Sequence, residues 1–253
     1  MNANRQQREL TTFQIRNIKI LTTLLANDAV CDEIIDMLRD SELEFFNLID
    51  KIKLLEQKIN IDEKTSLLKF KSDYLTNIVK TASRVYDGSV KKDFAVSFVR
   101  FDIDDFSRFN NTYGHELGDI VLKKIAMLIK ESSRPTDYVI RFGGEEFDVI
   151  LPATRLDGAE LYLSKLFEKI PRLEIRHNNK TLKVTVSAGV SFNEFNIDKT
   201  KISSTDIEKQ YENMQCAADN ALYEAKYLGK NQYCIYDSKK SEEYSKIRKL
   251  YVK

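Results

Sequence analysis

Two adjacent glycines, Gly143 and Gly144, stand between the apolar runs 138–142 and 147–151. Paired glycines tolerate positive φ, so this pattern predicts two antiparallel strands joined by a tight turn. The hairpin constrains everything around it. Residues 95–101 (AVSFVRF) read as a buried strand. Helical patterns flank it at about 71–86 and 116–130, and others follow at 157–170 and 207–228. Further strands are expected at 183–191 and 233–236. Helices interleaved with an antiparallel hairpin predict an α+β sheet domain rather than a doubly wound Rossmann sheet.

The first 60 residues differ in character. They contain no glycine and no proline, which is a helical composition. One helix is expected over 10–26, with a break and a new cap at Asn27-Asp28. A heptad follows: Cys31, Leu38, Phe45, Ile52 and Ile59 at one position, Ile34, Ser41, Leu48 and Leu55 at the other. Two readings stay open, a coiled coil joining two chains and an amphipathic helix packed on its own predecessor. The apolar stretch 18–26 is broken by Lys19, Thr22 and Thr23, too short and too polar for membrane insertion, which needs about 20 apolar residues. No secretory leader pattern is visible. Net charge is +1, which gives no reason to expect a nucleic-acid partner. Three scattered cysteines read as reduced thiols in a cytoplasmic protein, and two histidines without Cys/His spacing argue against structural zinc. The segment 238–253 is polar and basic, expected as a solvated helix or frayed end.

The chemistry is concentrated in acids. The strand at 95–101 runs into Asp102-Ile103-Asp104-Asp105, and Glu145-Glu146 follow the Gly-Gly turn. Acids at strand ends serve core packing poorly and suit Mg²⁺, which takes oxygen ligands and keeps substrate phosphates in its shell. Two such clusters on neighbouring strand ends would form a two-metal site for phosphoryl transfer. Glycines at the turn let a nucleotide approach the backbone. Taken alone, Gly-Gly-Glu-Glu favours a plain hairpin with solvated acids.

The surrounding pattern decides. Arg141-Phe142-Gly143-Gly144-Glu145-Glu146-Phe147 resembles the GGDEF motif of diguanylate cyclases in its GGEEF form. FDIDDFSRFNNTYGHELGDIVL (101–122), VTVSAGV (184–190) and ADNALYEAKYLGKNQY (218–233) resemble the family's other motifs, in order and spacing, over residues 62–237. The resemblance implies a palm-like α+β domain, as in nucleotide cyclases, with a ferredoxin-like core and flanking helices, preceded by an all-α sensory or dimerisation region at 1–60. It implies condensation of two GTP into cyclic di-GMP by a homodimer, with two Mg²⁺ or Mn²⁺ ions per site. Asp102, the Ile103 carbonyl, Glu145 and Glu146 would hold metal. Glu145 and Glu146 would be catalytic, with Glu145 assisting deprotonation of a ribose 3′-hydroxyl. Asn110 and Asp119 match the guanine readers. Gly143 and Gly144, the backbone at Asp105 and Phe106, and Lys226 and Lys230 would receive the nucleotide and its phosphates. Lys226 and Lys230 are spaced i, i+4, one face of a helix. Arg134-Pro135-Thr136-Asp137 has the RxxD form of the family's product-inhibition site, with Arg134 and Asp137 on cyclic di-GMP.

The chain departs from that pattern in places. Ser107 stands where the family usually has lysine, and Asn111 where it has aspartate. The leading motif keeps only Asp62, Thr65 and Leu67. These changes lower the expected turnover without removing a metal ligand or base reader. Two other functions remain: a weakly active or inactive domain that binds GTP or cyclic di-GMP as a signal, and a helical scaffold for a partner protein.

Overall fold

The computed structural model describes residues 19–20, 22–23, 32–85, 93–178, 180–196 and 203–251. The chain divides into two compact units, Met1–Ile59 and Asn60–Lys253. In the first, helix α1 spans Asp32–Asn60. Of its heptad, Leu48 and Ile52 are each about half exposed within the single chain. The side chains of Cys31, Ile34, Leu38, Leu55 and Ile59 lie outside the described ones. So does most of the expected helix at 10–26, where Lys19, Ile20, Thr22 and Thr23 are helical. Among the described residues no helix is long and apolar enough to cross a membrane.

The second unit is built on a six-stranded sheet. Its strands are β1 (Leu68–Lys69), β2 (Asp93–Ile103), β3 (Tyr138–Gly143), β4 (Glu146–Pro152), β7 (Val186–Asn196) and β8 (Tyr233–Ile235), in the order β1-β3-β4-β2-β7-β8. The middle pairs are antiparallel, and the two edge pairs, β1 with β3 and β7 with β8, are parallel. A separate small hairpin joins β5 (Ile175–His177) to β6 (Lys180–Leu182). This is the α+β architecture that the Gly-Gly hairpin predicts.

Strand alternation divides the core in two. Val99, Phe101 and Ile103 of β2 point to one face, where they meet Val121, Ile125 and Ile129 of helix α4 (His115–Ser132) and Leu163 of α5 (Leu156–Lys169). Val96 and Phe98 point to the other. There they meet Leu75 and Val79 of α2 (Tyr74–Val85) and Tyr211, Met214 and Ala218 of α6 (Ser204–Tyr227). Each such buried side chain contributes roughly 1.5–3 kcal/mol, which turns a hairpin that is marginal alone into a stable centre. Helix α6 lies directly on the sheet at Gly189, where a Cβ would stand 1.9 Å from the Ala218 carbonyl oxygen.

Three elements were not legible: β1, the β5–β6 hairpin, and the short helix α3 (Phe106–Tyr113). The strand expected from 183 begins at Val186. The segment from 238, expected as a solvated helix or frayed end, is a helix that docks through Tyr244. Helix α7 (Ser241–Tyr251) buries Tyr244 to 2% exposure against α6. The Tyr244 ring stacks on Tyr236, and Lys240 pairs with Glu224 at 2.6 Å.

Candidate active site

Asp102 and Glu146 are register partners on β2 and β4, beside the Gly-Gly turn. Burial raises the Asp102 carboxyl above its ordinary range; the Lys226 ammonium opposes this and Glu145 adds to it. Lys226 Nζ stands 2.8 Å from Asp102 Oδ2. Burial raises Glu146 as well, against Arg100 and with the help of Asp102. Two desolvated carboxyls on adjacent strands favour a cation beside them. Among the described residues no three His, Cys, Asp or Glu side chains converge to cage a metal. The donor set nevertheless suits Mg²⁺, which is usually held by one or two carboxylates with substrate phosphates rather than by an all-protein cage. The Glu145 carbonyl accepts from the Ile103 N–H at 3.4 Å, so the turn is tied to the end of β2. A Cβ on Gly143 or Gly144 would meet nothing within 4 Å, so the turn faces open space.

The three aspartates after Phe101 have different tasks. Asp104 is structural: it accepts from Thr185 Oγ1 and Ser187 Oγ at 2.7 Å and from the Asn231 N–H at 3.1 Å. Asp105 has a left-handed backbone, φ 55°, and opens α3 without a side-chain cap. The first N–H groups of a helix lack intrahelical acceptors and suit an anion, so the backbone around Asp105 and Phe106 is free to meet phosphate.

Helices α3 and α4 bring the expected base readers together. One amide atom of Asn110, Oδ1, is buried without a hydrogen-bond partner. It lies against Gly118, the chain neighbour of Asp119; a Cβ there would stand 1.9 Å from it. Asp119 pairs with Lys64 at 2.8 Å. The two lysines also converge, though not as one helical face. Helix α6 ends at Tyr227, and Lys230 lies beyond it in a turn with positive φ at Gly229, Lys230 and Asn231. The Asn231–Asp104 bond pins that turn, and Lys230 reaches Asp105 at 2.7 Å.

Arg134 and Asp137 form a closed turn between α4 and β3. Asp137 Oδ2 accepts from the Arg134 N–H at 2.7 Å, and the Asp137 N–H donates to the Arg134 carbonyl at 3.0 Å. Asp137 is 6% exposed and its Oδ1 has no partner. Burial raises its carboxyl, with Arg134 opposing. Arg134 borders a cleft of about 630 Å³ and a smaller one of about 160 Å³ that also holds Lys165 and Lys169. The turn stands at the opposite end of β3 from Gly143, about 20 Å away at roughly 3.3 Å per residue.

Two supports escaped sequence reading. Arg141 donates to Asp62 at 3.0 Å and to the Gly144 carbonyl at 2.8 Å, tying the loop at 62–67 to the turn. Burial alone would raise Asp62, but Thr65 and Arg141 outweigh it and hold the carboxyl below its ordinary value. Arg100 and Asp148 form a bidentate pair at 2.8 and 2.9 Å, with Asp148 wholly buried. Their signal was one lone charge of each sign inside two apolar strands.

Comparison with known proteins identifies the family. The profile described as "Diguanylate cyclase, GGDEF domain" matches residues 73–232, well over half of the chain. Diguanylate cyclase A of Treponema denticola is 34% identical over 168 residues, covering 66% of this chain and 42% of that protein. Diguanylate cyclase DgcP of Pseudomonas aeruginosa is 37% identical over 131 residues, 52% of this chain and 18% of that one. The chain thus spans less than half the length of these relatives. Among solved structures, the coiled coil and GGDEF domain of DgcB from Caulobacter crescentus, in complex with c-di-GMP, has the same fold. Its TM-score is 0.64 at 22% identity, over 81% of this chain and 100% of that one. Diguanylate cyclase SiaD of Pseudomonas aeruginosa, in complex with its activator SiaC, gives 0.57 at 26% identity, over 92% and 84%. The chain belongs to the GGDEF-domain diguanylate cyclase family.

Proposed function

We propose that the chain condenses two GTP molecules into cyclic di-GMP and two pyrophosphates. The observation that carries this is the pairing of buried Asp102 with half-buried Glu146 beside the open Gly-Gly turn. A ribose 3′-oxygen of one GTP attacks the α-phosphorus of the other, its proton passes to Glu145, and the bond to pyrophosphate breaks. A second, symmetric attack closes the ring. Each domain binds one GTP, so two sites must face each other and the active species is a homodimer. Asn110 and Asp119 accept from the guanine edge; the orphaned Asn110 atom supports this, since a buried acceptor without a donor is costly. The start of α3, Lys226 and Lys230 bind phosphates, so the two lysines exchange Asp102 and Asp105 for substrate. Asp102, the Ile103 carbonyl, Glu145 and Glu146 would hold two divalent ions, Mg²⁺ or Mn²⁺. Such ions offset charge that develops on phosphoryl oxygens. Arg134 and Asp137 bind the product as an inhibitor, and the like-folded DgcB domain seen with c-di-GMP supports that reading. The reaction and its substrate are those of the cytoplasm.

Incubation with GTP and Mg²⁺, followed by chromatography of the nucleotides, tests the proposal. Wild type yields cyclic di-GMP, and Glu145→Ala and Glu146→Ala yield at least about a hundredfold less. Wild-type protein that leaves GTP unchanged as a dimer overturns it.

A further inference from the structure

On the sheet face covered by α6, β2 presents Val96, Phe98, Arg100 and Asp102 in turn, and β4 presents Ile150, Asp148 and Glu146. The Arg100–Asp148 pair therefore stands one strand period behind the Asp102–Glu146 pair, between the apolar core and the acids. The Arg100 guanidinium has further neighbours. Its face lies 4.0 Å from the Phe142 ring centroid, and Nη1 lies 3.9 Å from Asp219 Oδ1 on α6. Phe142 is the bulged residue immediately before the Gly-Gly turn. One cation thus holds β4, the root of the turn and α6 together.

Asp219 does not serve Arg100 alone. Its Oδ2 accepts from Arg248 Nη2 of α7, and the Arg248 guanidinium lies 5.5 Å over the Tyr223 ring. Helix α7 lies outside the residues 73–232 that carry the family likeness. Arg248, Asp219, Arg100 and Phe142 form a continuous line from that helix to the turn bearing Glu145 and Glu146. Arg100 cannot leave Asp148, because a wholly buried acid stripped of its partner is strongly destabilising. Its remaining freedom is tilt, and Asp219 limits the tilt.

We propose that helix α7 positions the Glu145–Glu146 turn through Arg248, Asp219 and Arg100. Arg248 and Arg100 are positioning residues, not catalytic ones. The inference rests on the reading of that turn as the catalytic edge of a diguanylate cyclase. Without Arg248, Asp219 is free to follow solvent, Arg100 tilts, and Phe142 and the turn lose a support. Most ground-state contacts to GTP are made away from this turn, at Asn110, Asp119, the α3 start, Lys226 and Lys230, so the loss falls mainly on turnover.

The test uses the full chain with Arg248→Ala, Arg248→Lys and, as a control on the same helix, Lys249→Ala; Lys249 is exposed. Arg248 is partly exposed near the end of the fold, so the variants retain a cooperative melt. The readouts are kcat and KM for GTP, and amide hydrogen exchange across 142–147 in the free protein. For Arg248→Ala we expect kcat to fall about three- to tenfold with KM within about twofold. Exchange at 142–147 quickens, Arg248→Lys recovers part of both, and Lys249→Ala matches wild type. Wild-type exchange at 142–147 in Arg248→Ala, or an equal effect from Lys249→Ala, overturns the proposal. If wild type makes no cyclic di-GMP, the function reading fails and the exchange measurement still decides this one.

Discussion

Replacing Gly118 with alanine tests guanine reading without substituting either expected reader. The added Cβ would stand 1.9 Å from Asn110 Oδ1, 2.9 Å from Asn110 Cγ and 3.3 Å from Phe106 Cζ. The first two distances are far inside contact, so the Asn110 amide must rotate away. It can do so, because the obstructing atoms end a side chain rather than belong to backbone. Overpacking in a rigid core costs about 1–3 kcal/mol, and a yielding neighbour brings the cost to the low end. Alanine in a helix gains about 1 kcal/mol over glycine. The two nearly cancel, so stability shifts by less than about 1 kcal/mol. Recognition has no such offset. Losing one neutral hydrogen bond costs about 0.5–1.5 kcal/mol, and 1.4 kcal/mol is a factor of ten. KM for GTP should rise about three- to tenfold, with kcat changed less than about twofold. Thermal melting and initial rates over a GTP series measure both quantities. An unchanged melting temperature with KM within twofold of wild type would refute Asn110 as a base reader.

Gly189→Ala offers the opposite case, because its Cβ would meet backbone, the Ala218 carbonyl oxygen at 1.9 Å and the Leu222 nitrogen at 2.3 Å. Backbone cannot rotate aside, so the upper overpacking cost of about 3 kcal/mol applies and the melting midpoint drops roughly 6–12 °C by calorimetry. Arg134→Ala should raise the concentration of cyclic di-GMP needed for half-inhibition at least about tenfold, since a lost bidentate contact costs more than 1.4 kcal/mol. The turn survives that change because Arg134 enters it through backbone groups; unchanged sensitivity to added product counts against the site. Burial pushes the Cys234 thiol up to about 11, with Glu224 adding to the shift. At pH 8 alkylation followed by peptide mapping should label exposed Cys216 and spare Cys234, whose labelling rises only as pH approaches 11. Equal labelling of the two at pH 8 would show Cys234 to be less shielded than this.

Sequence and structure agree where the signal is local. The Gly-Gly hairpin, the strand at β2 and the helices α4, α5 and α6 follow from periodicity and turn chemistry, because each is long or sharply bounded. The short pieces β1 and α3 carry too few residues for a period to show. The docking of helix α7 did not show because its composition is polar; one residue, Tyr244, anchors it. In the site, the acids were visible as acids, but their division of labour was not. Asp104 is set apart from Asp102 by Thr185, Ser187 and Asn231, which arrive from strands and loops over 80 residues away. Lys226 meets Asp102 from helix α6, but Lys230 meets Asp105 through a tertiary turn that i, i+4 spacing does not describe. The Arg100–Asp148 pair is a matter of register between β2 and β4, which no single strand encodes.

The docking of α7 has a practical consequence for anyone dividing this protein. A fragment trimmed at residue 232, where the family likeness stops, would discard Lys240 and Tyr244 and leave Glu224, 7% exposed, without the groups that satisfy it. It would also strip β8 from the edge of the sheet and lose the burial of Tyr244, worth roughly 1.5–3 kcal/mol for such a side chain, a large part of a domain's whole stability. Such a fragment would misbehave in solution for reasons unrelated to its catalytic residues, and its low yield or low activity would be blamed on the wrong end of the molecule. The safe cut lies after Tyr251, which packs on Tyr223.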